Sequence, residues 1–246
     1  QTLINTYYSL LFSSFSQSFW VLDEDRPCIY HRYGGAEPLD APWKTIDLSR
    51  HIGTGSGLGI GVASPEDDLL AMTTDDGSEG LVYFPAQDKV LSTGPMRTVG
   101  STNEPMIMPY IDAYSKHVIF ADVTGNVALF DLVNGNGKPE RFRVNFSPRF
   151  VRTGWLESTW ILAGDKGIMF QSFKDPSDRK VVRFVPEVMN MWVTGDSKTA
   201  LYTLDEGAPA IYRFDIRTRE QLPPIRVRGV TMASILRMGS NNSICY

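Results

Sequence analysis

Residues 117–131 read HVIFADVTGNVALFD, and this stretch decides the fold. His117–Ala121 and Val127–Asp131 are rich in β-branched and aromatic side chains, which suit a pleated, half-buried surface. The residues between them include Gly125, which takes a positive φ at little steric cost, so the stretch predicts a β-hairpin. Four further segments repeat the plan of apolar run, Asp/Gly-bearing turn and apolar run: Phe19–Tyr33, Leu69–Phe84, Thr159–Phe173 and Leu201–Asp215. The five starts advance by 50, 48, 42 and 42 residues, the length of a four-stranded sheet unit with its connections.

Working outward, another apolar stretch stands ahead of each later hairpin: Leu58–Ala63, Met106–Ile111, Phe150–Leu156 and Met189–Val193. Behind each hairpin comes a fourth strand candidate: Trp43–Leu48, Val90–Ser92, Glu140–Val144, Lys180–Phe184 and Pro224–Val227. Inner strand, hairpin and outer strand together make one blade of a β-propeller. Helical periodicity is almost absent; residues 3–15 read as either a short helix or a strand. After Arg228 a sixth inner strand is predicted at Thr231–Met238, followed by a stub, Ser243–Tyr246. A lone strand pair leaves unpaired edges, so the N-terminal stretch is expected to pair with the C-terminal strands. The fold class expected is therefore all-β: a single propeller domain spanning residues 1–246, of six blades of four-stranded antiparallel sheet. The sixth is a composite blade closed by both termini, and five or seven blades are the alternatives.

Three stretches resemble divergent WD40-like or surface-layer-type propellers. Ala63-Ser64-Pro65-Glu66-Asp67-Asp68-Leu69-Leu70-Ala71 is similar to the S-P-D-G step into a second strand, and residues 194–202 (TGDSKTALY) are a second copy. Residues 122–131 (DVTGNVALFD) resemble the strand that ends in Trp-Asp in WD40 repeats, with Phe130 in the Trp place. Gly-His and Trp-Asp dipeptides are absent, and only Asp131 and Asp215 hold the terminal Asp. The resemblance implies the architecture, and implies scaffolding of protein complexes more often than catalysis.

Composition bounds the function. The chain has 246 residues, 42% of them hydrophobic and 21% charged, which suits a globular protein and argues against disorder. No apolar run approaches the ~18 residues a spanning helix needs, so membrane insertion is not expected. Two cysteines, Cys28 and Cys245, are too few for a disulfide framework, and an intracellular setting, cytoplasmic or nuclear, is expected. A secreted or surface propeller with a Cys28–Cys245 bridge is an alternative. The formal charge of −4 divides unevenly, with residues 1–123 at −9 and residues 124–246 at +5.

Chemistry-bearing motifs are few. Residues 53–61 read GTGSGLGIG, but the glycine spacing misses the dinucleotide fingerprint and a strand follows where a helix is required. His31, His51 and His117 stand at no metal-ligand spacing, so no metal or cofactor is expected. The carboxylates Asp23-Glu24-Asp25, Glu66-Asp67-Asp68 and Asp75-Asp76 with Glu79 fall at predicted turns, where Asp accepts from nearby backbone N–H groups. A glycosidase-like hydrolase with channel carboxylates is the enzymatic alternative; no catalytic residue is assigned.

Arginines cluster twice. Arg141, Arg143, Arg149 and Arg152, with Lys138, interleave with Phe142, Phe146 and Phe150; Arg217 and Arg219 lie with Arg213, Arg226 and Arg228 in a second group. Guanidinium forks match carboxylate and phosphate, so Arg141, Arg143, Arg149, Arg152, Arg217 and Arg219 are the candidate partner-binding residues. The partner expected is a protein or an acidic or phosphorylated peptide within a larger complex. Nucleic acid would demand a more positive chain. The expected function is a non-enzymatic protein-interaction scaffold.

Overall fold

Each hairpin read from the sequence closes in the computed structural model, and each is joined by a strand on either side. The structure describes residues 8–13, 17–34, 41–53, 55–64, 68–96, 109–112, 114–154, 159–183, 186–205, 210–226, 237–238 and 244–245. The first sheet is β1 (Tyr8–Ser13), β2 (Ser18–Asp23), β3 (Cys28–Tyr33) and β4 (Lys44–Asp47). After a four-residue helix, α1 (Ser49–Ile52), comes the second: β5 (Leu58–Ala63), β6 (Leu70–Thr74), β7 (Gly80–Phe84) and β8 (Lys89–Ser92). The third is β9 (Tyr110–Ile111), β10 (His117–Ala121), β11 (Asn126–Asp131) and β12 (Glu140–Arg143). The fourth is β13 (Ser147–Thr153), β14 (Thr159–Asp165), β15 (Gly167–Ser172) and β16 (Arg179–Arg183). The fifth is β17 (Val188–Val193), β18 (Thr199–Leu204), β19 (Ala210–Asp215) and β20 (Glu220–Arg226). All five are antiparallel meanders in sequence order. A two-stranded ladder follows, β21 (Arg237–Met238) with β22 (Ile244–Cys245). No helix among the described residues is long and apolar enough to cross a membrane.

Packing divides the chain into two compact units, Gln1–Arg143 and Val144–Tyr246. In the first unit, Leu11, Trp20, Leu22 and Ile29 meet Leu58, Leu70, Met72, Leu81 and Tyr83. A second layer sets Ala71 and Val82 against Val118, Phe120, Ala128 and Phe130. The second sheet is thus covered on both faces, and β6 is buried along its whole length. In the second unit, Ile161, Ala163, Ile168 and Phe170 of the fourth sheet meet Met191, Ala200, Tyr202 and Phe214 of the fifth. Each large apolar side chain taken out of water in these layers contributes roughly 1.5–3 kcal/mol. The outer strands β12, β16 and β20 have no fully buried residue, which leaves their side chains available for contacts.

The six-blade count is not confirmed, and the N-terminal pairing and two strand boundaries differ from expectation. Five four-stranded sheets form, and no composite sixth sheet is seen among the described residues. The N-terminal stretch forms a strand, β1, which pairs with β2 from Tyr8↔Asp23 to Ser13↔Ser18. Closing that hairpin costs far less chain entropy than pairing across the length of the protein, and it buries Leu11 in the first core layer. β13 starts three residues earlier than Phe150, with a bulge at Pro148/Phe150 that lets the strand accept its proline. β20 starts at Glu220 and runs through Pro223 and Pro224, which an edge strand tolerates because its outward N–H groups need no partner. Met106–Ile111 is described only from Pro109 onward and Thr231–Met238 only at β21; their remaining residues, with residues 65–67 and Arg228, lie outside the described set.

Candidate functional site

The third sheet places two of the candidate arginines together. Asp122 organises the turn between β10 and β11: its Oδ1 accepts from the N–H groups of Thr124 and Asn126 at 2.9 and 3.0 Å. Its Oδ2 accepts from Asn126 Nδ2 at 2.7 Å, and Gly125 supplies the positive φ of 96°. At the other end of β11, Asp131 accepts from the N–H groups of Val133 and Asn134 at 2.9 and 2.8 Å, turning the chain toward β12. Burial opposes the Asp131 charge, but hydrogen bonds from Asn134 and Val133 outweigh it and hold the carboxyl below its ordinary value. These two turns fix β12 against β11 with Val127↔Phe142, Ala128↔Arg141 and Asn126↔Arg143 in register.

Strand alternation does the rest. Glu140 and Phe142 are half-buried, whereas Arg141 and Arg143 are exposed on the opposite face. Arg141 donates from Nη1 to the Pro95 carbonyl at 3.1 Å, and Arg143 comes within 3.5 Å of the Thr124 carbonyl. Neither has a carboxylate partner among the described residues. The Pro95 segment is itself fixed, because Met96 N donates to Ser78 O at 2.9 Å and Gly94 N to Ser92 Oγ at 2.6 Å. The result is a cleft of about 300 Å³ lined by Met96, Asn126, Val127, Arg141, Phe142 and Arg143. It has two cations on its rim and an apolar wall, suited to an anionic group beside an apolar one.

The other candidates are engaged differently. Arg149 pairs with Glu187. Arg152 donates to the carbonyls of Met191 and Val151 at 3.1 and 2.7 Å and lies over the Phe150 ring. Arg219 is only 13% exposed and holds both oxygens of Asp178, at 2.5 and 2.6 Å. Arg213 donates twice to the Pro223 carbonyl, at 2.9 and 2.8 Å. Arg217 is exposed in the turn before β20.

The remaining sequence motifs have local roles. A Cβ on Gly57 would fall 1.7 Å from the Glu24 carbonyl oxygen, so the glycine-rich run permits close backbone approach at the entry to β5. Asp23 accepts from Arg26 and from the Tyr30 hydroxyl, and Asp76 from Thr74 and from Ser78 N. His31 stacks on Trp20 at 3.7 Å. His117 Nδ1 lies 2.8 Å from Asp112 Oδ2. Burial opposes the Asp112 charge, but hydrogen bonds from His117 and Lys116 keep its carboxyl below the usual range. Among the described residues no three His, Cys, Asp or Glu side chains converge on a metal position. Cys28 is a free thiol. Burial, and then the nearby Asp47 and Asp23 charges, push its pKa up.

Sequence reasoning placed Arg141 and Arg143 but missed Met96 and Asn126. The Asp-x-x-x-Asn spacing of Asp122 and Asn126 signals a side-chain-closed turn; nothing local marks Met96, which lies in the segment that follows β8.

The solved structure of the dihydro-heme d1 dehydrogenase NirN in complex with DHE is similar to this chain over 90% of its length, with a TM-score of 0.60 and 14% identity. This chain spans 48% of the NirN chain, about half its length. NirN is one of 1385 solved chains with significant likeness, a breadth that speaks for architecture and for no single activity. The likeness, with the five four-stranded sheets, supports a β-propeller fold and leaves the WD40 or surface-layer subtype unassigned. No protein-family model matches the sequence. No curated protein matches it either.

Proposed function

We propose that this propeller is a non-enzymatic interaction module that holds an acidic or phosphorylated segment of a partner protein at the cleft beside β12. The observation that carries the reading is the pair Arg141 and Arg143, exposed on one face of an outer strand without a carboxylate partner among the described residues. Planar guanidinium groups bind carboxylate and phosphate through paired N–H donors, and here one of them is already oriented by the Pro95 carbonyl. The first strands of the five sheets, β1, β5, β9, β13 and β17, contain no Asp, Glu or His within their bounds. The free Cys28 thiol suits the intracellular setting expected from the sequence.

The test is a comparison of immobilised wild-type protein with an Arg141→Glu/Arg143→Glu variant, with retained proteins identified by mass spectrometry. The reading expects partners with acidic or phosphorylated segments to be lost from the variant while its thermal midpoint is unchanged. An identical set of retained proteins would contradict it.

A further inference from the structure

We infer that the bound segment docks as an extended strand along the outer edge of β12, with acidic residues at alternate positions. This rests on the assignment of the cleft as a binding site and adds the conformation and sequence pattern of its occupant. β12 lies at the end of its sheet, with β11 on one side and no strand on the other among the described residues. Alternate residues of an edge strand turn their N–H and C=O groups outward, where an added strand pairs with them.

The arginine spacing selects the same geometry. Arg141 and Arg143 are two residues apart and share a face, so they repeat at about 6.5–7 Å along the strand. A second extended chain presents its same-face side chains at that repeat, whereas a helix presents neighbours at three- and four-residue intervals. The residue between the two acidic ones faces the other way, on the side of the half-buried Phe142, where an apolar side chain is the match.

Two other outer strands, β20 and β16, differ from β12. β20 carries Pro223 and Pro224, and the Pro223 carbonyl already accepts twice from Arg213. On β16, Lys180 Nζ donates to the Arg219 carbonyl at 2.7 Å. The first unit is negatively charged as a whole, but at physiological salt screening acts over about 8 Å, so the local pair of cations decides.

The experiment uses fluorescein-labelled, end-capped peptides of one composition: an alternating one built on Thr-Asp-Val-Asp-Thr and a blocked one built on Thr-Val-Asp-Asp-Thr. Their affinities are read by anisotropy at 0.15 M salt against the full chain, against Arg141→Glu/Arg143→Glu and against the milder Arg141→Gln/Arg143→Gln. The expected result is about tenfold tighter binding of the alternating peptide. Backbone N-methylation of that peptide and both double variants should abolish binding. Equal affinity for the two patterns, lost in the variants, would overturn the strand geometry while leaving the basic site standing. Binding that survives both variants, or no binding of either peptide, would overturn the site as well. Concentration-dependent doubling of the protein's mass in sedimentation, abolished by the charge reversal, would identify a second copy of this chain as the occupant and overturn the peptide assignment.

Discussion

The third and fourth sheets each end in a short, basic outer strand, yet the structure treats the two differently. On β12, Arg141 and Arg143 face a cleft and meet only backbone carbonyls. On and beside β16, three cations are tied into the fold: Arg179 Nε donates to Gln171 Oε1 at 2.7 Å, Lys180 holds the Arg219 carbonyl, and Arg219 grips Asp178, while Arg183 at the strand end is exposed. Counting arginines along the sequence gives the two strands equal standing. What separates them is that Arg179 and Arg219 have an amide and a carboxylate as partners, whereas Arg141 and Arg143 meet only carbonyls.

That contrast is broken or sharpened by substitution, beginning beneath the strands. Phe170 on β15 is fully buried and packs edge-on against Phe214 at 5.3 Å. Phe170→Ala is expected to cost about 3–5 kcal/mol of stability by leaving a cavity. Phe142→Ala, on the half-buried side of β12, is expected to cost no more than about 1 kcal/mol. Equilibrium unfolding in urea measures both, and equal costs would erase the distinction between a structural and an available edge.

Next in size are the charges. Arg141→Glu/Arg143→Glu should abolish binding of the alternating acidic peptide with no change in unfolding midpoint. Asp178→Ala should do the reverse. It leaves Arg219 largely buried without its partner, at about 1 kcal/mol of stability, and leaves peptide affinity intact. Calorimetry and anisotropy on the same samples check the crossed pattern.

The smallest effect expected is on acid sensitivity, where the two sheets should agree. Asp131 precedes β12 and Asp175 precedes β16, and both carboxyls are held below their ordinary value by hydrogen bonds within their own turns. For Asp175 the Ser177 hydroxyl and backbone N–H are the main donors. A depressed folded-state pKa contributes stability that is present above the unfolded value, about 3.9, and is lost as pH falls through the folded value. Both carboxyls should therefore titrate below the ordinary aspartate value by NMR, and Asp131→Asn or Asp175→Asn should flatten the loss of stability on acidification. Titration at or above the ordinary value would contradict the turn geometry.

Much of the fold was legible because each hairpin carries its own evidence: apolar alternation on both sides of a turn whose Asp and Gly close it locally. His117–Asp131 became β10 and β11 with the expected turn at Gly125. Legibility failed where a residue's meaning depended on its neighbours. Pro223 and Pro224 obscure β20 in the sequence, because proline argues against a strand except at a sheet edge. Edge closure alone would send the N-terminal stretch to the far end of the chain, whereas pairing with the adjacent β2 costs less chain entropy. At the site, the arginines were visible in the sequence, but their availability was not. It depends on the absence of a carboxylate for Arg141 and Arg143 among the described residues, on Asp178 reaching Arg219, and on Met96 arriving in the segment that follows β8.

The measurement that bears most directly on the central claim is amide hydrogen exchange with and without the alternating acidic peptide. Slower exchange confined to residues 140–143 and the adjoining Met96 segment, absent in Arg141→Glu/Arg143→Glu, is the predicted result. Unchanged exchange along β12 at saturating peptide, or protection centred on residues 179–183, would contradict it.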